Sequence, residues 1–277
     1  MSGTGAVKNE ILKDFPQLEL NEEEAKIFVA KLKLKGKQRY KELYNAVLAE
    51  NNNQKFSYEV LSQHYRYDIK LRRALYKIIS FTEVAMRATI ANKYGTEKIS
   101  KRNIREDFKE IIGKEIYFDP CERKKISIAF NSKKKMTLFE FLENVDMQIL
   151  NRLFSILDKE TIESIFTYDG HIECNLDSMR KLRNAVMHNN ILITKKYGKV
   201  WINEQEKQDL QSHVENAINL SPEMVKDNLK RLINNCLIID EEHEEEYKKQ
   251  GKEADNRYKL SEKYKVYFEG VQNGEEK

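Results

Sequence analysis

HYRYDIKLRRALYKIISFTEVAMRATIANKYG, from His64 to Gly95, carries a long and nearly uninterrupted helical pattern. Its apolar and small side chains recur at intervals of three and four residues, which predicts a helix from about Tyr67 to Tyr94 that ends at Gly95. The seam predicted to be buried contains Leu71, Leu75, Ile78, Thr82, Ala85 and Thr89. This pattern favours a core built from helices.

A second helical stretch, RKLRNAVMHNN from Arg180 to Asn190, concentrates groups that can do chemistry. Its predicted buried stripe starts just upstream and consists of Leu176, Met179, Leu182 and Val186. Arg180, Asn184 and His188 are spaced four apart and fall on the outer side, with Arg183 flanking them. A histidine beside fixed positive charge is suited to phosphate chemistry, so this predicted helix, from about Leu176 to His188, is the motif helix.

The long helix also carries a polar stripe, which allows two interpretations. Winding the sequence at helical pitch places Arg72, Tyr76, Ser80, Glu83 and Arg87 within about 80° of one another. Glu83 and Arg87 are spaced for a simple i,i+4 salt bridge. Alternatively, the stripe faces the motif helix, where Glu83 orients its side chains and the arginines contact nucleic acid.

Composition supports an all-α protein. The 277 residues include only 3 prolines and 10 glycines, which is typical of helical chains. The predicted helices are 21–35, 38–49, 67–94, 103–112, 136–157, 176–188, 203–219 and 222–239, with irregular chain between 112 and 136. The segments 191–194 and 199–202 predict a small β-hairpin after the motif helix.

Charge divides the chain into a basic body and an acidic tail. Lysine and arginine number 49 against 45 aspartates and glutamates. From Asp240 onward, 8 basic and 12 acidic residues leave the body near +8, which favours a polyanionic partner. Basic clusters occur at 31–39, 101–105, 123–125 and 133–135, the last containing Lys133 and Lys134; each can equally be a solvated face. We expect three parts: an N-terminal helical extension (1–55), a helical domain (56–240) and a charged tail (241–277).

The sequence predicts a cytoplasmic protein without a membrane anchor. Its three cysteines, Cys121, Cys174 and Cys236, are scattered and odd in number, so they form no disulfide framework. We find no signal segment and no apolar stretch that could span a membrane. No cluster of Asp, Glu and His suggests a two-metal site, and we expect neither a metal nor a cofactor.

The two helical stretches together resemble the Abi-like family of abortive-infection proteins, which belongs to the HEPN superfamily of helical domains. Nuclease members of that superfamily carry an R-x-x-x-x-H motif, often with Asn after the Arg, and here Arg183-Asn184-x-x-x-His188 matches it. The resemblance covers roughly residues 20–240. It implies a HEPN-type helical bundle, here with the small hairpin and extra helices at both ends.

The resemblance also implies metal-independent RNA cleavage for anti-phage defence, by a protein that is toxic to its host when it is active. Histidine titrates near neutral pH and can move protons, and a guanidinium can stabilise charge on phosphate oxygens. We therefore expect Arg183, His188 and Asn184 to be catalytic. The residues expected to bind RNA are Arg180, Arg72, Arg73, Tyr76, Arg87, Lys133 and Lys134.

The motif supplies one histidine per chain, whereas the cleavage reaction benefits from both a general acid and a general base. Members of the superfamily usually dimerise, so we expect a homodimer in which two motifs share one groove, with Met187 at the contact surface. Two other functions stay open: an RNA-binding module that holds a structured noncoding RNA, and a helical protein–protein adaptor. In either case His188 could simply cap its helix, and Arg183 could pair with a carboxylate.

Overall fold

Helices form most of this protein. The computed structural model describes residues 4–167, 171–202, 205–241, 243–245 and 257–271. The α-helices of these ranges are α1 (Thr4–Asp14), α2 (Glu22–Lys35), α3 (Lys37–Glu50), α4 (Tyr58–Tyr94), α5 (Ile104–Ile112), α6 (Pro120–Ala129), α7 (Leu138–Asn144), α8 (Met147–Ser155), α9 (Lys159–Glu163), α10 (Ile172–Met187), α11 (Leu210–Asn219) and α12 (Lys226–Asn234). Short 3₁₀ turns follow at Glu223–Val225, Asn235–Leu237 and Glu262–Tyr264.

The strands of the described chain are short and form two-stranded pairs. Strand β1 (Leu18–Glu19) pairs in parallel with β2 (Phe56–Ser57), and the antiparallel pairs are β3 (Lys98–Ser100) with β4 (Lys135–Thr137) and β5 (Val200–Ile202) with β6 (Gln205–Lys207). The predicted all-α bundle with a small hairpin after the motif helix is therefore confirmed.

The hairpin uses a different strand from the one predicted. Segment 191–194 is a buried turn and not the first strand, and 200–202 pairs instead with 205–207. The backbone N–H groups of Leu192 and Ile193 bind the side chain of Asp68. Because a side chain satisfies these donors, the apolar run needs no partner strand.

Helix α4 is the central element of the bundle. Its 37 residues span about 55 Å, and it contacts α3, α7, α8, α9, α10, α11 and α12. The predicted seam is buried except at Ala85, which is half-buried. The helix begins at Tyr58, earlier than predicted, because Ser57 caps it and the polar residues Gln63 and His64 are buried inside the fold.

The first three helices pack onto the start of α4 through aromatic rings. The ring of Phe28 lies 5.1 Å from that of Phe15 and 5.2 Å from that of Tyr40, and Tyr40 stacks on Tyr65 at 4.4 Å. Asn21 caps α2 and forms a capping box with Glu24. These rings belong to the same buried cluster as the rest of the core.

The middle of the chain is more helical than predicted. Helix α6 occupies a segment expected to be irregular, and Asp119 and Glu122 form a capping box around Pro120 in its first turn. The predicted helix 136–157 is divided into α7 and α8, because Val145 is extended and Asp146 caps a new helix. The apolar periodicity continues across this break, which hides it in the sequence.

Part of the predicted tail belongs to the core. We call residues 257–271 the C-terminal strap. Four of its side chains are buried: Tyr258, Leu260, Tyr264 and Val266. The strap therefore packs as part of the bundle and not as a separate charged segment.

Buried polar side chains of the body hold the strap through its backbone. Gln63 accepts a hydrogen bond from the Lys259 N–H at 3.0 Å, and the Tyr67 hydroxyl accepts one from the Val266 N–H at 2.9 Å. Asn234 both donates to and accepts from the backbone of Phe268, each at 2.9 Å. These contacts explain why polar residues lie in the interior of α4 and α12.

Candidate functional site

Helix α10 is the motif helix, and it begins at Ile172, four residues before the predicted start. Its buried face contains the predicted stripe and packs against α11, α4 and α8. The opposite side carries the motif residues. The amphipathic pattern of the sequence therefore predicted the orientation of this helix correctly.

The helix ends at the candidate catalytic histidine. His188 is the C-cap, and its N–H donates to the Asn184 carbonyl at 3.0 Å. Asn189 then adopts a left-handed conformation with φ of 54°. The N–H groups of Asn189 and Asn190 bind the carbonyls of Val186 and Ala185, both at 3.0 Å, which completes a Schellman motif. The chain thus turns away directly after His188, whose side chain is exposed.

Arg183 and His188 flank the exposed face of α10. Five residues on an ideal helix correspond to about 140° of rotation and about 7.5 Å of rise. Asn184 and Met187 lie between them, and Met187 is 45% exposed. Arg183 is half-buried, and its Nε is a buried donor that has no hydrogen-bond partner in the described part of the chain. The side chains of Arg183 and His188 therefore lie at opposite edges of one exposed surface and not in a single row along the helix.

A buried carboxylate on α4 holds the turn that follows His188. Oδ1 of Asp68 accepts hydrogen bonds from the N–H groups of Leu192 at 2.6 Å and Ile193 at 3.1 Å. Its Oδ2 pairs with Arg72, and Arg72 also donates to Oδ1 of Asn189. Burial raises the pKa of Asp68 above its ordinary value, although Arg72 and the two N–H donors favour the ionised form.

Sequence reasoning missed Asp68 and Asn189. The i,i+4 spacing of Asp68 and Arg72 is typical of a local ion pair, which the structure shows. It gave no indication that this pair reaches across more than a hundred residues to the end of the motif helix. Arg72 was expected to bind RNA, and only 14% of its side chain is exposed.

The polar stripe of α4 contains the simple salt bridge that was one of its two interpretations. Arg87 binds Glu83 at 2.7 Å and donates to the Val145 carbonyl at 2.9 Å, between α7 and α8. This contact engages both Glu83, the expected orienting residue, and Arg87. Farther toward the start of the helix, Arg73 is exposed and Tyr76 is 50% exposed.

The other predicted RNA-binding residues lie apart from His188. Arg180 pairs with Asp177 at 2.6 Å, and both line a cleft of about 330 Å³ with residues of α8. Lys133 pairs with Glu140 of α7 at 2.9 Å. Lys134 is exposed just before β4. The described fold thus brings Arg72 to the end of the motif helix, while Arg180, Arg87 and Lys133 have other partners.

Within the residues that the structure describes, no group of three or more His, Cys, Asp or Glu is arranged to hold a metal ion. No described helix combines the length and the apolar character needed to cross a membrane.

Comparison with known proteins identifies the family. A family model described as Abi-like protein matches residues 35–194, more than half of the chain. The chain belongs to the Abi-like family. Neither a search of curated proteins nor a search of solved structures gave a significant match.

The family match includes both sides of the candidate site. In this Abi-like protein, Asp68 and Arg72 on α4, and Arg183 and His188 on the motif helix, all lie within residues 35–194. The match ends directly after the turn that Asp68 holds. Family membership indicates a function related to abortive infection.

Proposed function

We propose that this Abi-like protein is a HEPN-type endoribonuclease that cleaves RNA during abortive infection and is toxic to its host. The observation that carries the proposal is the end of α10, where the exposed His188 and the half-buried Arg183 border one surface. Two side chains of helix α4, Asp68 and Arg72, anchor the turn that comes after His188. An exposed imidazole beside a guanidinium is suited to transferring protons at a phosphodiester.

The proposed reaction needs no group beyond the RNA and the protein. The ribose 2′-oxygen forms a bond to phosphorus while the bond from phosphorus to the 5′-oxygen breaks. The products are a 2′,3′-cyclic phosphate and a 5′-hydroxyl. His188 accepts the proton of the attacking hydroxyl or supplies one to the leaving oxygen.

In this proposal, Arg183 and Asn184 stabilise the negative charge that develops on the phosphate oxygens during cleavage. The guanidinium group of an arginine offers N–H donors in a planar fork that suits phosphate oxygens. The Nε of Arg183 has no hydrogen-bond partner in the described chain, so this donor is not committed to a contact within the protein. Asn184 lies on the intervening surface and can donate to phosphate or orient the imidazole.

A homodimer would supply the second proton-transfer group. Each chain offers one motif histidine, whereas cleavage benefits from a base at the 2′-oxygen and an acid at the 5′-oxygen. We propose that two copies place their motif helices across one groove. Met187 is 45% exposed between Arg183 and His188, which suits a contact at this position.

The decisive variant is His188→Ala, with His171→Ala as the matched control. His171 is an exposed histidine at the other end of the same helix. We expect His188→Ala to lose cleavage and host toxicity while it retains RNA binding, and His171→Ala to keep all three. Cleavage that survives in His188→Ala would remove the nuclease proposal.

RNA-binding and cleavage measurements on the same proteins also distinguish the nuclease from the two other functions. A non-catalytic RNA-binding module would bind RNA with an affinity that falls steeply with salt, since each phosphate contact releases counterions, and would leave the RNA intact. A protein–protein adaptor would show neither cleavage nor salt-dependent RNA binding. A cytoplasmic location and a regulatory RNA partner belong to the same proposal.

A further inference from the structure

The proposed cleavage chemistry gives no role to Asp68, a buried carboxylate on α4. Asp68 has no exposed surface, and all its hydrogen bonds described above go to Arg72 or to the turn after His188. We propose that Asp68 is a positioning residue, which fixes the imidazole of His188 through Arg72 and Asn189. This inference rests on the proposed nuclease function, and it assigns a positioning role to Asp68, Arg72 and Asn189.

The contacts of Asp68 anchor the turn at both of its ends. Arg72 binds Asn189, the first residue after His188. The carboxylate itself binds the N–H groups of Leu192 and Ile193, four and five residues after His188. Leu192 and Ile193 lie in a buried turn, so their N–H groups need an acceptor inside the protein, and the buried carboxylate of Asp68 supplies it. The carboxylate therefore ties this turn to α4.

The presence of asparagine at position 189 also supports a positioning role for Asp68 and Arg72. A left-handed residue directly after a helix C-cap is most often glycine, because glycine has no Cβ penalty there. Asn189 adopts this conformation with φ of 54°, and its side chain accepts the hydrogen bond from Arg72. Asparagine therefore adds a link that glycine cannot make.

The backbone of this turn sets the direction in which the His188 side chain leaves the helix. The side chain is exposed, and in the described part of the chain no hydrogen bond or ion pair holds the imidazole. The origin of the side chain therefore depends on the backbone at 188 and 189. Catalysis by an oriented group is sensitive to displacement, since an error of about 1 Å can cost about 100-fold in rate.

The substitution Asn189→Gly separates positioning from stability. Glycine accepts the left-handed conformation without strain, so the turn can form, but the link to Arg72 is lost. Asn131→Gly is the matched control, because Asn131 is an exposed asparagine with φ of 46° in another part of the fold. Both variants are expected to keep the wild-type urea midpoint.

Three measurements on the full-length protein decide the proposal: kcat, KM for RNA, and the ring signals of His188 in a ¹³C-resolved NMR spectrum. For Asn189→Gly we expect kcat to fall about 10- to 100-fold with KM unchanged, and the His188 ring signals to shift and broaden. Asn131→Gly should match wild type in all three. Arg72→Lys, which keeps the positive charge that pairs with Asp68, should retain part of the activity that Arg72→Gln loses.

The NMR measurement keeps this proposal separate from the nuclease proposal. If the wild-type protein cleaves no RNA, shifted His188 signals in Asn189→Gly still support positioning through Asn189. Unchanged His188 ring signals in Asn189→Gly would overturn the positioning role, whether or not the protein is a nuclease. An unchanged kcat in an active preparation would overturn it as well.

Discussion

Arg72 on α4 donates a hydrogen bond to the side chain of Asn189, the residue that directly follows His188. This contact joins the two stretches of sequence that carry the resemblance to Abi-like proteins. It also ties the exposed end of the motif helix to the core, since Arg72 is itself held by the fully buried Asp68. Stability and candidate chemistry therefore depend on the same side chains.

Removing the buried carboxylate should destabilise the whole bundle. Asp68→Ala leaves the N–H groups of Leu192 and Ile193 and the guanidinium of Arg72 without their acceptor. We expect the free energy of unfolding to fall by about 3–5 kcal/mol, the usual cost of breaking a buried pair from one side. Urea denaturation followed by circular dichroism measures this change.

The control for Asp68 is another aspartate that forms an i,i+3 or i,i+4 ion pair. Asp177 pairs with Arg180 and Lys181 and is 37% exposed. Asp177→Ala should cost less than about 1 kcal/mol, because solvent screens exposed pairs. Equal losses for the two variants would show that the burial of Asp68 adds nothing.

The C-terminal strap should contribute to stability through Asn234. Asn234→Ala removes both hydrogen bonds to the Phe268 backbone and leaves that N–H and carbonyl unpaired, so we expect a loss of about 1–3 kcal/mol. The neighbouring Asn235 is exposed, and Asn235→Ala should stay within about 0.5 kcal/mol of wild type. If Asn234→Ala is as stable as Asn235→Ala, the strap is not held by this clamp.

The buried His64 should make the fold sensitive to acid. Its ring lies 5.7 Å from that of Tyr264 in the strap, and its Nδ1 lies 2.8 Å from the Val60 carbonyl. Burial lowers the pKa of His64 below its ordinary value of 6.5. Below pH 6.5 the unfolded chain therefore binds a proton that the native chain resists, and the free energy of unfolding falls as the pH is lowered.

Urea denaturation at pH 7.5, 6.5 and 5.5, chosen as about one pH unit either side of the free histidine pKa, tests this linkage. In His64→Asn, whose amide can still donate to the Val60 carbonyl, the decrease toward pH 5.5 should be smaller than in wild type. His213 is also buried with a lowered pKa, so part of the decrease should persist. An identical pH dependence in both proteins would contradict the role of His64.

The proposed dimer should depend on the exposed surface between Arg183 and His188. Met187→Glu places a charge at its centre while it leaves both candidate groups in place. We expect the mass from light scattering to fall from two chains to one, with loss of cleavage and an unchanged circular dichroism spectrum. An active single chain, in wild type or in the variant, would contradict the composite site.

The sequence predicted those features that follow from local patterns. Periodicity predicted the buried faces of α4 and α10, and Asn21 followed by three glutamates predicted the start of α2. The equivalent signal at Asp119 and Glu122 is also present in the sequence, and it predicts α6 once the proline in the first turn is considered.

Features that depend on distant partners could not be predicted in this way. The polar residues Gln63 and His64 precede the predicted start of the long helix, yet they lie inside α4, buried against a strap almost two hundred residues later in the chain. Asp68 is similar, because its partners at 192 and 193 have no sequence relationship to it. In the candidate site, the motif residues were predictable and the groups that hold them were not.

Mapping RNA ends in cells that express the wild-type chain or His188→Ala tests the central claim most directly. The account predicts new ends with 2′,3′-cyclic phosphates and 5′-hydroxyls, together with arrested growth, in wild type and in His171→Ala. These ends should be absent from His188→Ala at equal protein level. The same ends at the same abundance in His188→Ala would contradict the account.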